Sequence, residues 1–458
     1  MNFDSVIFIS CFLPVVAILY WVLPGLRAKN ILLLVFSLIF YSFSGISSLL
    51  LLVGLALANY LISLWIRSGR TAQAATVFGV VLDVAFLAFF KYLNFLLNQV
   101  FGLPEVSLGL AVPLGISFFV FKSISFLVDT RRDPEAEKTG FVPFLLYISF
   151  FPQIVTGPIT RFRDFAPQLK SRPLSLRAAT DGIKRFIVGL GKKLILSGIL
   201  GTMVDSIFAL PEASLSAPLA WLGAIGYCLQ LYFDFSGYTD MAIGLGLFFG
   251  FTTTENFNHP YLAVTIGDFW RRWHISLSFW FRDYVYIPLG GNRKGKVRAG
   301  IHKFIVFFLC GLWHGASWTF LLWGIWHGVF SILESTGVIP GKKLEKKPWL
   351  GRIYTLLVVL IGFVMFRATS VDQGFAFLAA MFTGASTAAS TVALHQILSA
   401  EAIVMLILGT LFCLPIPKRC AQYKLWQPLS LIGCSLLLVL CIIVLAAGGF
   451  APSIYAGF

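Results

Sequence analysis

Apolar runs of spanning length recur along this chain from Val6 to Ala447, and that repetition decides the solvent in which it can fold. A hydrocarbon core takes about 20 predominantly apolar helical residues to cross. Inside it every backbone polar group needs an internal partner, which a helix supplies. The runs are Val6–Leu23, Ile31–Phe43, Ser47–Ile66, Val77–Leu97, Val112–Val128, Phe141–Val155, Phe186–Leu210, Trp221–Phe235, Gly237–Phe251, Ile301–Leu333, Ile353–Phe366, Ile403–Leu414 and Leu429–Ala447. Some are too short to cross alone. Charged residues make up 12% of the chain, against roughly 25% in soluble proteins. No hydrophilic stretch is long enough for a sizeable soluble domain. The expectation is one all-α, multi-pass membrane domain over residues 1–458. Val6–Leu23 has no basic n-region before it and no small-residue cleavage site before Pro24, so it is expected to stay as a helix.

The formal net charge of +15 does not indicate nucleic acid, because the basic residues lie in short loops between apolar runs. The positive-inside rule accounts for them. Arg27 and Lys29 place the end of the first helix in the cytoplasm. Arg131 and Arg132 also read as inside, as does the cluster Arg161, Arg163, Lys170, Arg172, Arg177, Lys184 and Arg185. Only Phe141–Val155 lies between those two groups, and Pro152 and Gly157-Pro158 interrupt it. A re-entrant segment satisfies both facts. The seven cysteines are scattered, mostly within apolar runs, and contain no CxxC pair. They read as small core hydrophobes.

A second basic zone, Glu255 to Lys303, holds Arg271, Arg272, Arg282, Arg293, Lys294, Lys296, Arg298 and Lys303. At about 100° per residue, Trp270, His274, Leu277 and Phe281 share one helical face. Arg271, Ser278 and Arg282 share the next. Pro288-Leu289-Gly290-Gly291-Asn292 closes the helix as a turn.

His274 and His314 stand out, each in a tryptophan-rich segment: Asp268-Phe269-Trp270-Arg271-Arg272-Trp273-His274 and Cys310-Gly311-Leu312-Trp313-His314-Gly315. Ionisable residues at membrane depth tend to mark function, and imidazole exchanges a proton near neutral pH. Bland alternatives stand beside this. His314 could be a packed core histidine, and His274 an interfacial one whose neighbouring arginines bind lipid phosphate. His327 lies about 220° from His314 if one continuous helix carries both, which makes it structural or supporting. His259, His302 and His395 sit near segment ends and are expected to be solvated. No HExxH or similar ligand spacing is present, so no metal is expected. GxSxG is absent. Gly244-Leu245-Gly246 reads as helix packing. Asp234-Phe235-Ser236-Gly237-Tyr238-Thr239-Asp240 is either a polar surface loop or a buried segment whose acids are met by nearby arginines.

Several blocks together are highly specific. They are Phe150-Phe151-Pro152-Gln153 with Gly157-Pro158-Ile159, Asp234 to Tyr238 with Asp240 to Gly244, Glu255-Asn256-Phe257-Asn258, Phe269 to Ser278, Arg282-Asp283-Tyr284, Pro288 to Arg293, and Gly311 to Gly315. In order and spacing, over roughly residues 113–328, the chain resembles the membrane-bound O-acyltransferase (MBOAT) family, and within it the bacterial alginate O-acetyltransferase-like branch. The Ser453–Phe458 ending does not match that branch's aromatic-rich Phe-Ile-Tyr-Phe ending. The resemblance implies a ring of roughly 11 tilted transmembrane helices, plus re-entrant segments, around a central funnel. It implies His314 as the active-site histidine and His274 as the second histidine of the motif. The implied reaction moves an acetyl group from cytoplasmic acetyl-CoA across the bacterial inner membrane, for O-acetylation of an exported polysaccharide. The resemblance also implies a secreted or periplasmic SGNH-type acetyltransferase that completes the transfer.

In that chemistry His314 is the leading general base and His274 a second proton-handling or orienting residue. Arg271, Arg272 and Arg282 are expected to hold the phosphates of acetyl-CoA. Alginate-like exopolysaccharide leads as acceptor, with peptidoglycan or cellulose as alternatives. Two other classes remain at this point: a proton-coupled small-solute transporter, which would show inverted repeats, and a membrane scaffold that docks a polysaccharide-modifying enzyme. No internal repeat is visible in the sequence.

Overall fold

The computed structural model describes residues 1–103, 109, 111–135, 138–293, 295–415 and 426–448. Lys294 of the basic zone and the Ser453–Phe458 ending lie outside them. Helix takes up 77% of the described residues, with no strand among them. Five helices among them are long and apolar enough to cross a membrane: Ile46–Arg67, Ala72–Val100, Leu176–Phe208, Pro348–Arg367 and Pro428–Ala446. The bent pair Val371–Thr383 and Ala388–Ile397, which turns through 104°, would make a sixth. Contacts divide the chain into two compact units. One takes Met1–Ile187 and Tyr238–Glu255, the other the described residues of Val188–Gly237 and Asn256–Ile454.

The first unit contains α1 (Ile46–Arg67), α2 (Ala72–Phe95), α3 (Ile116–Arg132) and α4 (Phe141–Ser149). With nine residues, α4 rises only about 13 Å and is too short to cross. Irregular backbone follows, and residues 150–160 are all buried. Lys122 on α3 donates to Tyr147 O at 3.1 Å and to Gln153 Oε1 at 3.2 Å, while the Tyr147 hydroxyl donates to Thr160 O at 2.9 Å. This is the local geometry that a re-entrant segment requires, with its backbone covered by protein. Helix α5 (Leu176–Gly191) and the later part of α6 (Ala217–Phe248) also meet here. A Cβ on Gly182 would fall 2.5 Å from Gly244 O, and one on Gly244 would fall 2.5 Å from Gly182 O. Two glycines are what let these backbones touch, so Gly244 does serve helix packing.

The sequence divides Trp221–Phe235 from Gly237–Phe251, but α6 runs through both as one helix of 32 residues. Residues 234–240 are therefore helical, which removes the surface-loop alternative. In the first unit, Arg185 donates to Asp240 Oδ1 at 2.9 and 2.8 Å, and to Glu255 at 2.7 and 2.5 Å. In the second unit, Lys193 meets Asp234 at 2.6 Å, with the two side chains only 2% and 4% exposed. An arginine thus meets one acid as expected. A lysine 41 residues away meets the other.

Three further features build the second unit. Helices α7 (Ile266–Arg272) and α8 (Ile275–Phe281) replace the single helix that the periodicity suggests. Helices α9 (Lys296–His314) and α10 (Trp318–Thr336) form a hairpin, and α11 (Pro348–Arg367) packs against α10. The expected continuous run Ile301–Leu333 breaks after His314, where Ser317 caps α10 by accepting from Thr319 N. Gly311 and Gly324 set the hairpin's spacing. A Cβ on Gly311 would lie 2.5 Å from Phe320 O, and one on Gly324 would lie 2.5 Å from Phe307 O.

Candidate active site

The site lies within the second unit, where α7, α8 and the α9–α10 hairpin meet. Thr265 starts α7 by accepting from Asp268 N at 3.0 Å. The helix ends after seven residues. His274 then adopts a left-handed conformation, with φ of +44°. Such a conformation is uncommon for a residue other than glycine, and the surroundings have to hold it. Asn256 does so twice. Its backbone carbonyl accepts from Ile275 N at 3.0 Å. Its side-chain Oδ1 accepts from Ser276 N at 3.1 Å and from Ser276 Oγ at 3.0 Å, and lies 3.2 Å from His274 Nδ1. The imidazole is 2% exposed, with Phe235 edge-on at 4.6 Å between ring centroids. Its Nε2 has no hydrogen-bond partner among the described residues.

His314 is the last residue of α9 and is 4% exposed. Aromatic rings surround it: Trp313 at 4.9 Å, Trp323 at 5.0 Å and Phe366 at 5.1 Å between centroids. Both histidines line one cavity of about 140 Å³. Trp270, Trp273, Leu277, Phe281 and Phe307 wall it, with Ser278 and Cys310 among its few polar groups. The break at His274 therefore preserves the expected shared face of Trp270, His274, Leu277 and Phe281. It also turns in Trp273, which periodicity places elsewhere. Ligand pockets for drug-sized molecules measure roughly 300–1,000 Å³, so this space takes the reacting ends of substrates and not a nucleotide.

The three arginines expected at a donor site do not line the cavity. Each already faces a carboxylate. Arg272 Nε meets Asp268 at 3.0 Å, Arg271 meets the same carboxylate at 3.4 Å, and Arg282 meets Asp283 at 2.7 Å. The hydrogen bond to Asp283 pushes the Arg282 guanidinium pKa up. Arg271 keeps 69% of its side chain exposed and is the freest of the three. His327 is buried, with Trp323 at 5.2 Å and Trp270 at 5.0 Å from its ring, and does not line the cavity. His259 and His302 are half-buried and bonded to the carbonyls of Cys413 and Gly291, each at 3.0 Å, and so are not simply solvated. Sequence reasoning quoted Asn256 within a motif but gave it no role. Its contact with His274 spans 18 residues, beyond any helical spacing.

Comparison with known proteins decides the class. The model of the membrane-bound O-acyltransferase family matches residues 33–371. The chain belongs to that family. This O-acyltransferase is 41% identical over 396 residues to the "Probable alginate O-acetylase AlgI" of Pseudomonas aeruginosa, covering 84% of this chain and 75% of the other. It is 37% identical over 358 residues to a peptidoglycan O-acetyltransferase of Helicobacter pylori, covering 70% and 67%. It is 34% identical over 214 residues to a teichoic acid D-alanyltransferase of Bacillus subtilis, covering 44% and 53%. The enzyme falls in the alginate O-acetylase-like branch and is a multi-pass membrane protein.

Proposed function

We propose that this O-acyltransferase takes an acetyl group from acetyl-CoA at the cytoplasmic face of the inner membrane and passes it across, for O-acetylation of an exported, alginate-like polysaccharide. The reading includes a single polytopic domain over residues 1–458, with roughly 11 tilted helices and re-entrant segments around a funnel. A secreted SGNH-type acetyltransferase receives the group and delivers it to the polymer. The observation that carries the reading is the placement of His274 and His314 on one small, aromatic-walled cavity, in a chain whose family performs acyl transfer.

A thioester is already activated, so the chemistry needs an acceptor hydroxyl, a proton acceptor and proximity. His314 takes the hydroxyl proton as general base. The hydroxyl oxygen bonds to the thioester carbonyl carbon, the C–S bond breaks, and the CoA thiolate leaves and recovers a proton. His274, across the same cavity, holds or relays that proton. The walls fix both reacting ends close together. Arg271, Arg272 and Arg282 hold donor phosphates outside the cavity, where guanidinium forks suit them. Arg271 carries most of this role because its pairing is weakest.

The test is acetyl analysis of the exported polymer from a deletion strain carrying His314→Ala. Loss of acetylation with a normally inserted protein is expected, and normal acetylation overturns His314 as the base. Peptidoglycan is the second reading, favoured by the Helicobacter relative. Acetyl loss confined to peptidoglycan in the deletion strain would replace the polysaccharide assignment.

A further inference from the structure

We infer that Asn256 is a positioning residue that fixes the tautomer of His274, so that the Nε2 lone pair of His274 is the one presented to the cavity. The inference rests on His274 belonging to the acyl-transfer site and specifies which of its nitrogens takes the proton.

A side-chain amide can face a histidine in two ways, and the hydrogen-bond network has to choose between them. Here the choice is forced. The backbone N–H of Ser276 points at the Asn256 atom 3.1 Å away. A backbone N–H can only donate, so that atom is the oxygen. Turning the amide over would set an NH2 against an N–H. The same oxygen lies 3.2 Å from His274 Nδ1. A carbonyl oxygen can only accept, so Nδ1 carries the hydrogen. In a neutral imidazole the other nitrogen is then bare. That nitrogen, Nε2, is buried, has no partner among the described residues, and belongs to a ring that borders the cavity.

The arrangement differs from an asparagine that replaces the aspartate of a serine-hydrolase triad. There the substitution leaves geometry intact but imposes the wrong tautomer. Ser276 prevents that outcome here by locking the amide from behind. When Nε2 takes a proton, the Nδ1–H···Oδ1 bond becomes charge-assisted and strengthens, so Asn256 steadies the imidazolium without putting a full negative charge beside it. Ser278, Cys310, His314 and the indole N–H groups of Trp270 and Trp273 are the other proton-bearing groups of the residues that line the cavity. Ser278 Oγ donates to Trp270 O at 3.0 Å.

The experiment uses the full chain in lipid, labelled with 15N-histidine, and the His274 signals are assigned by their loss in His274→Gln. Solid-state NMR of wild type is expected to show His274 protonated at Nδ1 and bare at Nε2. In Asn256→Ala the Nε2–H form should appear. A wild-type His274 protonated at Nε2, or an unchanged tautomer in Asn256→Ala, overturns the inference. Kinetics separate positioning from a merely structural role. Asn256→Asp keeps the acceptor oxygens and adds a charge, so the acid limb of kcat/KM should move up by about one to three pH units in a protein as stable as wild type. An unmoved acid limb in a stable, active Asn256→Asp enzyme also overturns it. Full activity of His274→Gln alongside the expected wild-type tautomer would refute the placement of His274 in the reaction while leaving the tautomer assignment standing.

Discussion

Replacing Lys193 with methionine tests what holds the middle of α6 in place. Its ammonium lies 2.6 Å from Asp234, with both side chains almost wholly buried. At an effective dielectric of about 20, two unit charges at that distance attract by about 6 kcal/mol. Burying the ions removes much of this gain, because each loses several kcal/mol of hydration. The pair therefore adds little over a well-packed apolar pair. Removing one member is different, since it leaves the other buried beside a lost counter-charge. Lys193→Met is expected to destabilise the fold by about 3–5 kcal/mol, and Lys193→Met with Asp234→Leu to return to within about 1 kcal/mol of wild type. Denaturant unfolding of the detergent-purified protein, run as a double-mutant cycle, measures the coupling. Acyl transfer should fall with the single variant, because Phe235, the next residue along, sets its ring against His274. Additive single and double effects would refute the reasoning, as would a Lys193→Met protein as stable as wild type.

Other outcomes follow from the same geometry. His314→Ala is expected to insert normally and to lose acyl transfer by 100-fold or more, taking about 10²–10⁴ as the worth of a general base, measured as thiol release from acetyl-CoA. Arg271→Ala should raise the donor KM several-fold with kcat and stability little changed, since phosphate contact is uniform binding; an unchanged donor KM removes it from the donor site. Arg272→Ala should also lower stability, because the Arg272 guanidinium pairs with Asp268 at 3.0 Å and donates to Asn258 O at 3.4 Å, beside the segment that carries Asn256. Gly311→Ala should lower the unfolding midpoint and activity together, since its Cβ would collide with Phe320 O; a stable, active Gly311→Ala protein would show that the hairpin has slack.

The membrane class and the two histidines are legible in the sequence because hydropathy and local composition are local signals. The shared face of Trp270, His274, Leu277 and Phe281 is legible for the same reason. The break that brings in Trp273 is not, since periodicity presumes a continuous helix and nothing in Trp273-His274 announces a left-handed residue. The clamp from Asn256 and the pairing of Lys193 with Asp234 join residues 18 and 41 positions apart. Such contacts depend on how helices are brought together, which composition does not encode. The three arginines are a local case. Their charge is plain in the sequence, and so are the carboxylates that engage them: Asp283 follows Arg282, and Asp268 lies three and four residues before Arg271 and Arg272, spacings that helical periodicity alone could have paired.

The hairpin of α9 and α10 has a consequence for rotational phase. Gly311 sits against the α10 backbone, and no other residue type fits there without separating the helices. His314 follows three residues later. Each helical residue advances the side chain by about 100°, so the seating of one glycine dictates the compass bearing of the imidazole. A single-residue insertion N-terminal to Gly311 can be absorbed at the start of α9. The same insertion between Gly311 and His314 swings the ring by about 100° while the glycine stays docked. The hairpin works as an index pin: the position of the insertion, and not its size, decides whether the imidazole still faces the cavity.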